Sequence, residues 1–371
     1  MAWLAIIVAG AGVACAALSA WTVHVFACRN SHSASLQPPV TVLKPLSGDE
    51  PLLYENLRSF CAQDYPDFQI VFGVQSPTDA ALPIVARLRS EFPALPLDVV
   101  VGSDVPGANP KVANLITMRS NARHDVLIIA DSDIRVGPTY LSQVVAPFED
   151  DRVGTVTCPY IARAAIPDFV NRLACLHIND GFLPQVLMAR MLGTRNFCLG
   201  ATIALRTATL TRIGGFEGLL NWVAEDYEVG ARVARIGLTV ELSDGLIETT
   251  TAENGVGALF VHELRWARTL RAIRPLGYAF TWLTLPVMVG FFTGALLLPS
   301  PLAPAIIFTG LTVRVLLNLQ RARAFGVRPE PWLAIARDFL SFAVWLASYL
   351  GHDVVWRGQR MRLARAGELR R

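Results

Sequence analysis

Apolar residues along this chain follow three successive patterns. Residues 2–26 are almost continuously apolar and uncharged, long enough to cross a bilayer as a helix. From Val40 to about Ser243, short runs of Val, Ile, Leu and Phe alternate with segments whose apolar residues recur at helical spacing. This alternation argues for an α/β fold built on a mainly parallel sheet. Strands are expected at 40–43, 68–74, 97–101, 126–130, 153–158, 201–205 and 239–242, and helices at 50–63, 77–92, 110–122 and 138–148. After Ala258 the pattern changes again. Residues 259–273 interleave apolar positions with His262, Arg265, Arg268 and Arg271, as a helix lying on an anionic leaflet would. Apolar stretches at 276–298 and 301–319 follow, joined by an uncharged Pro-Ser-Pro turn, and the basic loop 320–328 makes them a hairpin across the membrane.

The last apolar stretch, 332–356, contains Arg337, Asp338, His352 and Asp353, which leave no uninterrupted span. A full crossing would also carry the basic tail 357–371 outside, against the charge rule, so a re-entrant or interfacial segment with a cytosolic tail is expected. The resulting division is an anchor at 1–28, a cytosolic catalytic domain at 39–257, an interfacial helix at 258–275, a hairpin at 276–319, the segment 332–356 and the tail.

Composition supports the membrane assignment. Of 371 residues, 53% are hydrophobic and 17% charged, and the mean hydropathy is +0.41. A net charge of +3 is too small to imply a nucleic-acid partner. No positive charge precedes the first apolar run, whereas Arg29 and Lys44 follow it, which favours an anchor with its amino terminus outside. Leu18-Ser-Ala20 nevertheless imitates a signal-peptide cleavage site. The six cysteines are dispersed with no Cys-x-x-Cys, so reduced thiols and no structural zinc are expected.

Candidate chemistry begins at Asp131-Ser-Asp133, directly after the apolar run 126–130. Ligands of parallel sheets sit at the carboxyl ends of strands. Two carboxylates one residue apart repel each other unless a cation lies between them, and hard oxygens suit Mg²⁺ or Mn²⁺. The same tripeptide also reads as an ordinary polar loop. Pro110 opens a helix whose positive end, with Lys111, can hold a phosphate, although an ordinary helix start has the same form. Glu225 and Asp226 open a helix that Gly237 closes. First-turn acids serve the helix dipole, or one of them is a general base. Ser76-Pro-Thr-Asp79 has the form of a capping box. Arg265 and Trp266 suit a membrane interface, and Arg265 also suits a diphosphate.

The order of these motifs is more specific than any one of them. Val42-Leu-Lys-Pro-Leu-Ser-Gly, Asp64-Tyr-Pro66, Gly107-Ala-Asn-Pro-Lys111-Val-Ala-Asn114, Asp131-Ser-Asp-Ile-Arg135, Ala224-Glu-Asp-Tyr and Arg265-Trp266 together resemble the ceramide glucosyltransferase family, with its bacterial relatives that glycosylate hopanoids. The resemblance runs from about residue 40 to 275 and implies a GT-A domain, with membrane helices at both ends, that transfers a sugar from a UDP-sugar with inversion. It implies Asp226 as the base, Asp131 and Asp133 as the site of Mg²⁺ or Mn²⁺, and Asp79, Lys111, Asn114, Asp131, Arg265 and Trp266 as donor contacts, with Asp79 on the uridine side. Two positions depart from the family pattern. His262 stands where the signature ending in Arg265-Trp266 has Gln or Arg, and Gln75-Ser76 replaces an acidic pair. The implied acceptor is a membrane lipid: a hopanoid receiving N-acetylglucosamine, slightly ahead of ceramide receiving glucose, in a bacterial inner membrane. A processive polysaccharide synthase and a non-catalytic nucleotide-binding scaffold at the membrane are the competing functions.

Overall fold

The computed structural model describes residues 2–29, 35, 37–102, 105, 107–351, 353–356, 359–363 and 369–370. Most of residues 31–39, His352 and much of the basic tail 357–371, including Arg357, Arg365 and Arg371, lie outside the described residues. The chain forms two compact units, one of residues 30–165 and 194–252, the other of 1–29, 166–193 and 253–371.

The first of these is an α/β unit. Its ten strands are β1 Val40–Pro45, β2 Phe68–Val74, β3 Leu97–Val101, β4 Val126–Ala130, β5 Ile134–Arg135, β6 Val153–Thr157, β7 Tyr160–Ala164, β8 Thr202–Arg206, β9 Thr239–Leu242 and β10 Ile247–Thr251. Seven make one sheet in the order β3-β2-β1-β4-β8-β6-β9. The β3-β2-β1-β4 half is parallel, β8 runs antiparallel to both β4 and β6, and β9 pairs parallel with β6. All seven correspond to strands expected from the hydrophobic pattern. Alternate side chains of each central strand feed two separate cores, as the two-residue pleat requires. Val40 and Val42 of β1, Ile70 and Phe72 of β2, and Val126 and Ile128 of β4 pack with Leu57, Phe60, Val85 and Leu88 on one face. Leu43, Val71, Leu127 and Ile129 pack with Val112, Leu115, Met118, Val229 and Val233 on the other. The helices therefore cover both faces, and the carboxyl ends of β1 and β4 are left to carry polar loops.

The remaining strands form a small sheet, β5-β10-β7, with β10 antiparallel to β5 and parallel to β7. It carries Thr249 to the segment that follows Asp133.

The second unit is helical. Its helices are Ala2–Ala27, Phe169–Leu176, Leu183–Met191, Val256–Ile273, Pro275–Ala279, Pro286–Leu296, Leu302–Phe325 and Pro331–Ser348, with a π turn at His177–Phe182. Three short strands, Asp353–Trp356, Gln359–Leu363 and Leu369–Arg370, pair antiparallel. Two of the helices, at Trp3–Ala27 and Leu302–Phe325, are long and apolar enough to cross a membrane.

Three expectations need correction. Residues 39–257 are not one uninterrupted domain, because 166–193 belongs to the helical unit. There the buried Asp180 accepts from Arg314 Nη1 at 2.8 Å and Asn318 Nδ2 at 2.7 Å, and Leu183–Met191 packs against Ala2–Ala27. The first arm of the 276–319 hairpin is not one helix. Pro286 lacks the amide that a continuous helix would need, and the arm divides into Pro275–Ala279, a 3₁₀ turn and the 11-residue Pro286–Leu296. This last piece packs closely on Leu302–Phe325 through Gly290 and Gly310, where a Cβ on Gly310 would fall 2.6 Å from the Pro286 carbonyl oxygen. The basic loop expected from Gln320 is instead helical through Phe325, ending at Gly326 with φ +65°. In Pro331–Ser348, the two charges that interrupt the apolar run are buried and paired. Asp338 lies 2.7 Å from Arg314 Nε, and Arg337 makes a two-pronged contact with Glu263.

Candidate active site

The loop after β4 carries the first two acids of the candidate site. Asp131 follows β4 directly and Asp133 precedes β5. Thr249 Oγ1, on β10, donates to Asp133 Oδ2 at 2.7 Å, and the Thr250 amide donates to the Asp133 carbonyl at 3.0 Å. Ser132 Oγ donates to Glu50 Oε2 at 2.6 Å. Burial first, and the Asp131 charge second, push Asp133 up to about 6. The oxygens of this carboxylate pair suit a hard divalent cation. Among the described residues, no group of three or more His, Cys, Asp or Glu side chains is arranged to hold a metal ion. A metal on these two acids would need further oxygens from water or from a phosphate.

Lys111 lies on the opening turn of Pro110–Arg119. Asn109 caps that helix, its Oδ1 accepting from the Lys111 and Val112 amides at 3.0 and 3.2 Å, and Pro110 fills a position that needs no donor. The Lys111 ammonium sits between two carboxylates, 2.6 Å from Asp131 Oδ1 and 2.9 Å from Glu225 Oε1. Burial alone would lower its pKa, but these acids overcome that effect and hold it above the ordinary lysine range. Asn109 Nδ2 steadies the arrangement by donating to the Trp222 carbonyl at 2.9 Å and to Glu225 Oε2 at 3.3 Å.

Asp226 follows Glu225 in the first turn of Glu225–Arg235. A Cβ on Gly200 would stand 3.2 Å from Asp226 Oδ2 and 3.6 Å from Asp131 Oδ2, so both carboxylates face one point above this glycine. The side chain of Tyr160 reports the same convergence: burial, and then the charges of Asp226, Asp133 and Asp131, raise its phenol well above the ordinary range. Burial, reinforced by Glu225 and opposed by Lys111, pushes Asp226 up to about 7. A carboxylate with that pKa is matched to take a proton near neutral pH.

The model described as glycosyl transferase family 21 matches residues 3–369. The chain belongs to that family. It is 24% identical to ceramide glucosyltransferase 1 of Caenorhabditis elegans over 90% of this chain and 73% of that protein. Ceramide glucosyltransferase 3 of the same organism is 21% identical over 90% and 74%. Among solved structures, the mannosyltransferase PcManGT of Pyrobaculum calidifontis, in complex with GDP-Man and Mn²⁺, superposes with a TM-score of 0.55 at 19% identity, covering 93% of this chain and 97% of that one. That likeness shows the GT-A fold. The chain is a glycosyltransferase.

In this family 21 enzyme the expected residues divide between the two units. Asp131, Asp133, Lys111 and Asp226 come together. Asp79 lies in the loop after β2, its Oδ1 accepting from the Gly48 amide at 3.0 Å and the Ala81 amide at 2.9 Å. It ties the loops after β1 and β2 together and makes the turn before Leu82–Glu91, whose N-terminus has no side-chain cap, so its contacts are those of a loop clasp rather than of the expected capping box. Asn114 departs from its expected place as a donor contact. Its side chain is 2% exposed and donates to the Gly73 carbonyl at 2.7 Å, joining helix to sheet. Arg265 and Trp266 belong to the helical unit, on Val256–Ile273. There the Trp266 ring stacks on His177 at 5.6 Å and meets His262 at 4.2 Å. His262 Nδ1 lies 2.6 Å from Glu253 Oε1, so the imidazole at the variant signature position is committed to Glu253 and Trp266.

Residue patterns alone missed Thr249, Glu50, Gly200 and Lys44. Lys44 is fully buried within β1, its ammonium donating to the Asp131 carbonyl and lying 3.8 Å over the Phe60 ring. Burial lowers it to about 7 against the pull of Asp133, Asp131 and Glu50. A lysine inside an otherwise apolar strand was the available signal.

Proposed function

We propose that this enzyme moves one sugar from a UDP-sugar to the hydroxyl of a membrane lipid, with inversion and with the help of a divalent metal. The observation that carries this reading is the shared orientation of Asp131 and Asp226 over Gly200. It would set a diphosphate-side acid and a proton acceptor around one point. Asp131 and Asp133 would hold Mg²⁺ or Mn²⁺, which when bound offsets the charge developing on the UDP leaving group, an effect worth several kcal/mol. Lys111 would share that charge. Asp226 would accept the proton of the lipid hydroxyl as its oxygen attacks the anomeric carbon from the face opposite UDP. Asp79 would border the uridine, and Arg265 and Trp266 would add contacts to the donor.

Membrane attachment would come from Ala2–Ala27 and Leu302–Phe325 as spans, with the α/β unit on the cytosolic side of a bacterial inner membrane. Within the helical unit, the 286–319 hairpin and the paired charges of Pro331–Ser348 support a buried, lipid-embedded bundle. The curated relatives are named for ceramide and glucose, which favours that acceptor and donor. A hopanoid receiving N-acetylglucosamine is the other pair.

The test is a reconstituted reaction with Mn²⁺, UDP-glucose or UDP-N-acetylglucosamine, and separate ceramide and hopanoid acceptors, read by mass spectrometry and by NMR of the anomeric proton. A single glycolipid of inverted configuration is expected. A polymer, or UDP release without any glycolipid, would overturn the proposal.

A further inference from the structure

The carboxylate pair of the candidate active site already has a cation on one of its members. Lys111 places its ammonium 2.6 Å from Asp131 Oδ1 and 2.9 Å from Glu225 Oε1, with only 15% of the side chain exposed. A metal ion bound to Asp131 would lie close to this ammonium, and two cations on one carboxylate repel each other. Magnesium-type sites in nucleotide-using enzymes commonly join one or two carboxylates to substrate phosphates rather than to a full protein cage. Among the described residues no third carboxylate, imidazole or thiolate is arranged to join these two acids on a metal ion, which gives this site the same need.

Resting on the proposed function, we propose that Lys111 is an internal counter-cation that holds Asp131 in the donor-free enzyme and is displaced by the metal and the nucleotide diphosphate acting together. A diphosphate provides new negative charge for the ammonium, so Lys111 can leave Asp131 without becoming an unpaired buried cation. Glu225, fixed by Asn109, keeps the ammonium within reach during this exchange. The metal alone offers Lys111 no such partner. Metal and diphosphate therefore bind cooperatively, each raising the affinity of the other by the same factor. The residue thereby discriminates against loading by free cations.

The experiment measures Mn²⁺ binding by electron paramagnetic resonance to the full-length protein in detergent, first without nucleotide and then with UDP. In Lys111→Met, Mn²⁺ alone should bind about tenfold or more tightly than to the wild type, the size expected when one adjacent like charge is removed from a partly solvated site. UDP should improve Mn²⁺ binding less in the variant than in the wild type. Unchanged or weaker binding of Mn²⁺ alone to a folded variant overturns the proposal. Should Lys111→Met not fold, Lys111→Gln retains a donor for Glu225 and gives the same readout. A wild type and variant that both bind no Mn²⁺, even with UDP, overturn the metal reading and the counter-cation together. A negative result confined to the variant overturns the counter-cation role alone, and the proposed function is then judged by glycolipid formation in the wild type.

Discussion

Thr249 and Asp133, 116 residues apart in the chain, are joined by a 2.7 Å hydrogen bond from hydroxyl to carboxylate. This contact selects which Asp133 oxygen remains available and lowers the cost of its charge in a buried setting. Thr249→Val keeps the shape and the β-branching of the strand but removes the donor. A hydrogen bond to a charged group contributes about 1.5–3 kcal/mol, so the divalent-ion requirement should rise about tenfold or more. A metal titration of glycosyl transfer checks this, and an unchanged half-saturating concentration would count against the role given to Asp133.

Asp226→Asn should lower transfer by about 10²- to 10⁴-fold, the usual contribution of a positioned general base. UDP binding, measured by calorimetry, should remain nearly unchanged, because the base serves the acceptor rather than the nucleotide. Thermal stability should be equal or higher at pH 8, since the amide removes a carboxylate whose ionised form is disfavoured by burial and by Glu225. Loss of UDP binding in parallel with activity would reassign Asp226 to the donor side.

The same group sets a pH dependence. The base works only when deprotonated, so with an Asp226 pKa near 7 rather than its ordinary 3.8, the rate should fall as pH drops through about 7. Stability runs the other way. The folded protein holds this proton more tightly than the unfolded chain, so the group's stabilising contribution is complete below about pH 4 and is lost as pH rises through about 7. A pH-rate profile checks the first half. Melting curves of wild type and Asp226→Asn at pH 5 and pH 8 check the second, because the difference between the two proteins should grow toward pH 8 in favour of the variant.

What the hydrophobic pattern reveals depends on burial on both faces. All seven strands of the large sheet were legible because runs such as Val126–Ala130 are apolar throughout. The small sheet was not, because Ile247–Thr251 has only one apolar residue and Ile134–Arg135 is two residues long. Residues 166–193 looked like part of the catalytic domain because chain proximity was the only guide. Their partners, Arg314, Asn318 and Arg321, lie far along the chain. In the site, Asp131, Asp133, Lys111 and Asp226 were readable from motif order, whereas Asn114 shares a motif with Lys111 yet spends its amide on the Gly73 carbonyl of β2. Thr249 was hidden because its role comes from pairing between strands, which no local spacing encodes.

Gly200 supplies a prediction that separates space from charge. An alanine Cβ there would stand 3.2 Å from Asp226 Oδ2, closer than an ordinary contact, and would occupy the point that both carboxylates face. Gly200→Ala should therefore depress transfer by about tenfold or more while changing the melting temperature little, since core substitutions by one methyl cost most where no side chain can yield. The decisive measurement is glycolipid formation at saturating metal and donor. Full activity would mean that the reacting atoms lie elsewhere.

In the helical unit, Arg337 and Glu263 are both almost fully buried and meet through two contacts, Nη1 to Oε1 at 2.8 Å and Nη2 to Oε2 at 2.5 Å. Such a pair need not stabilise the fold relative to apolar residues, but breaking it leaves one charge without a partner. Glu263→Gln keeps the shape and the hydrogen-bonding oxygen yet strands the Arg337 guanidinium, at a cost of about 3–5 kcal/mol. Glu263→Gln should shorten the half-life of the detergent-solubilised protein on heating, and adding Arg337→Met should restore much of it, because the double variant leaves no unpaired charge. If Glu263→Gln is as long-lived as the wild type, the guanidinium reaches water or lipid phosphate, and Pro331–Ser348 then lies at the surface of the bundle rather than within it.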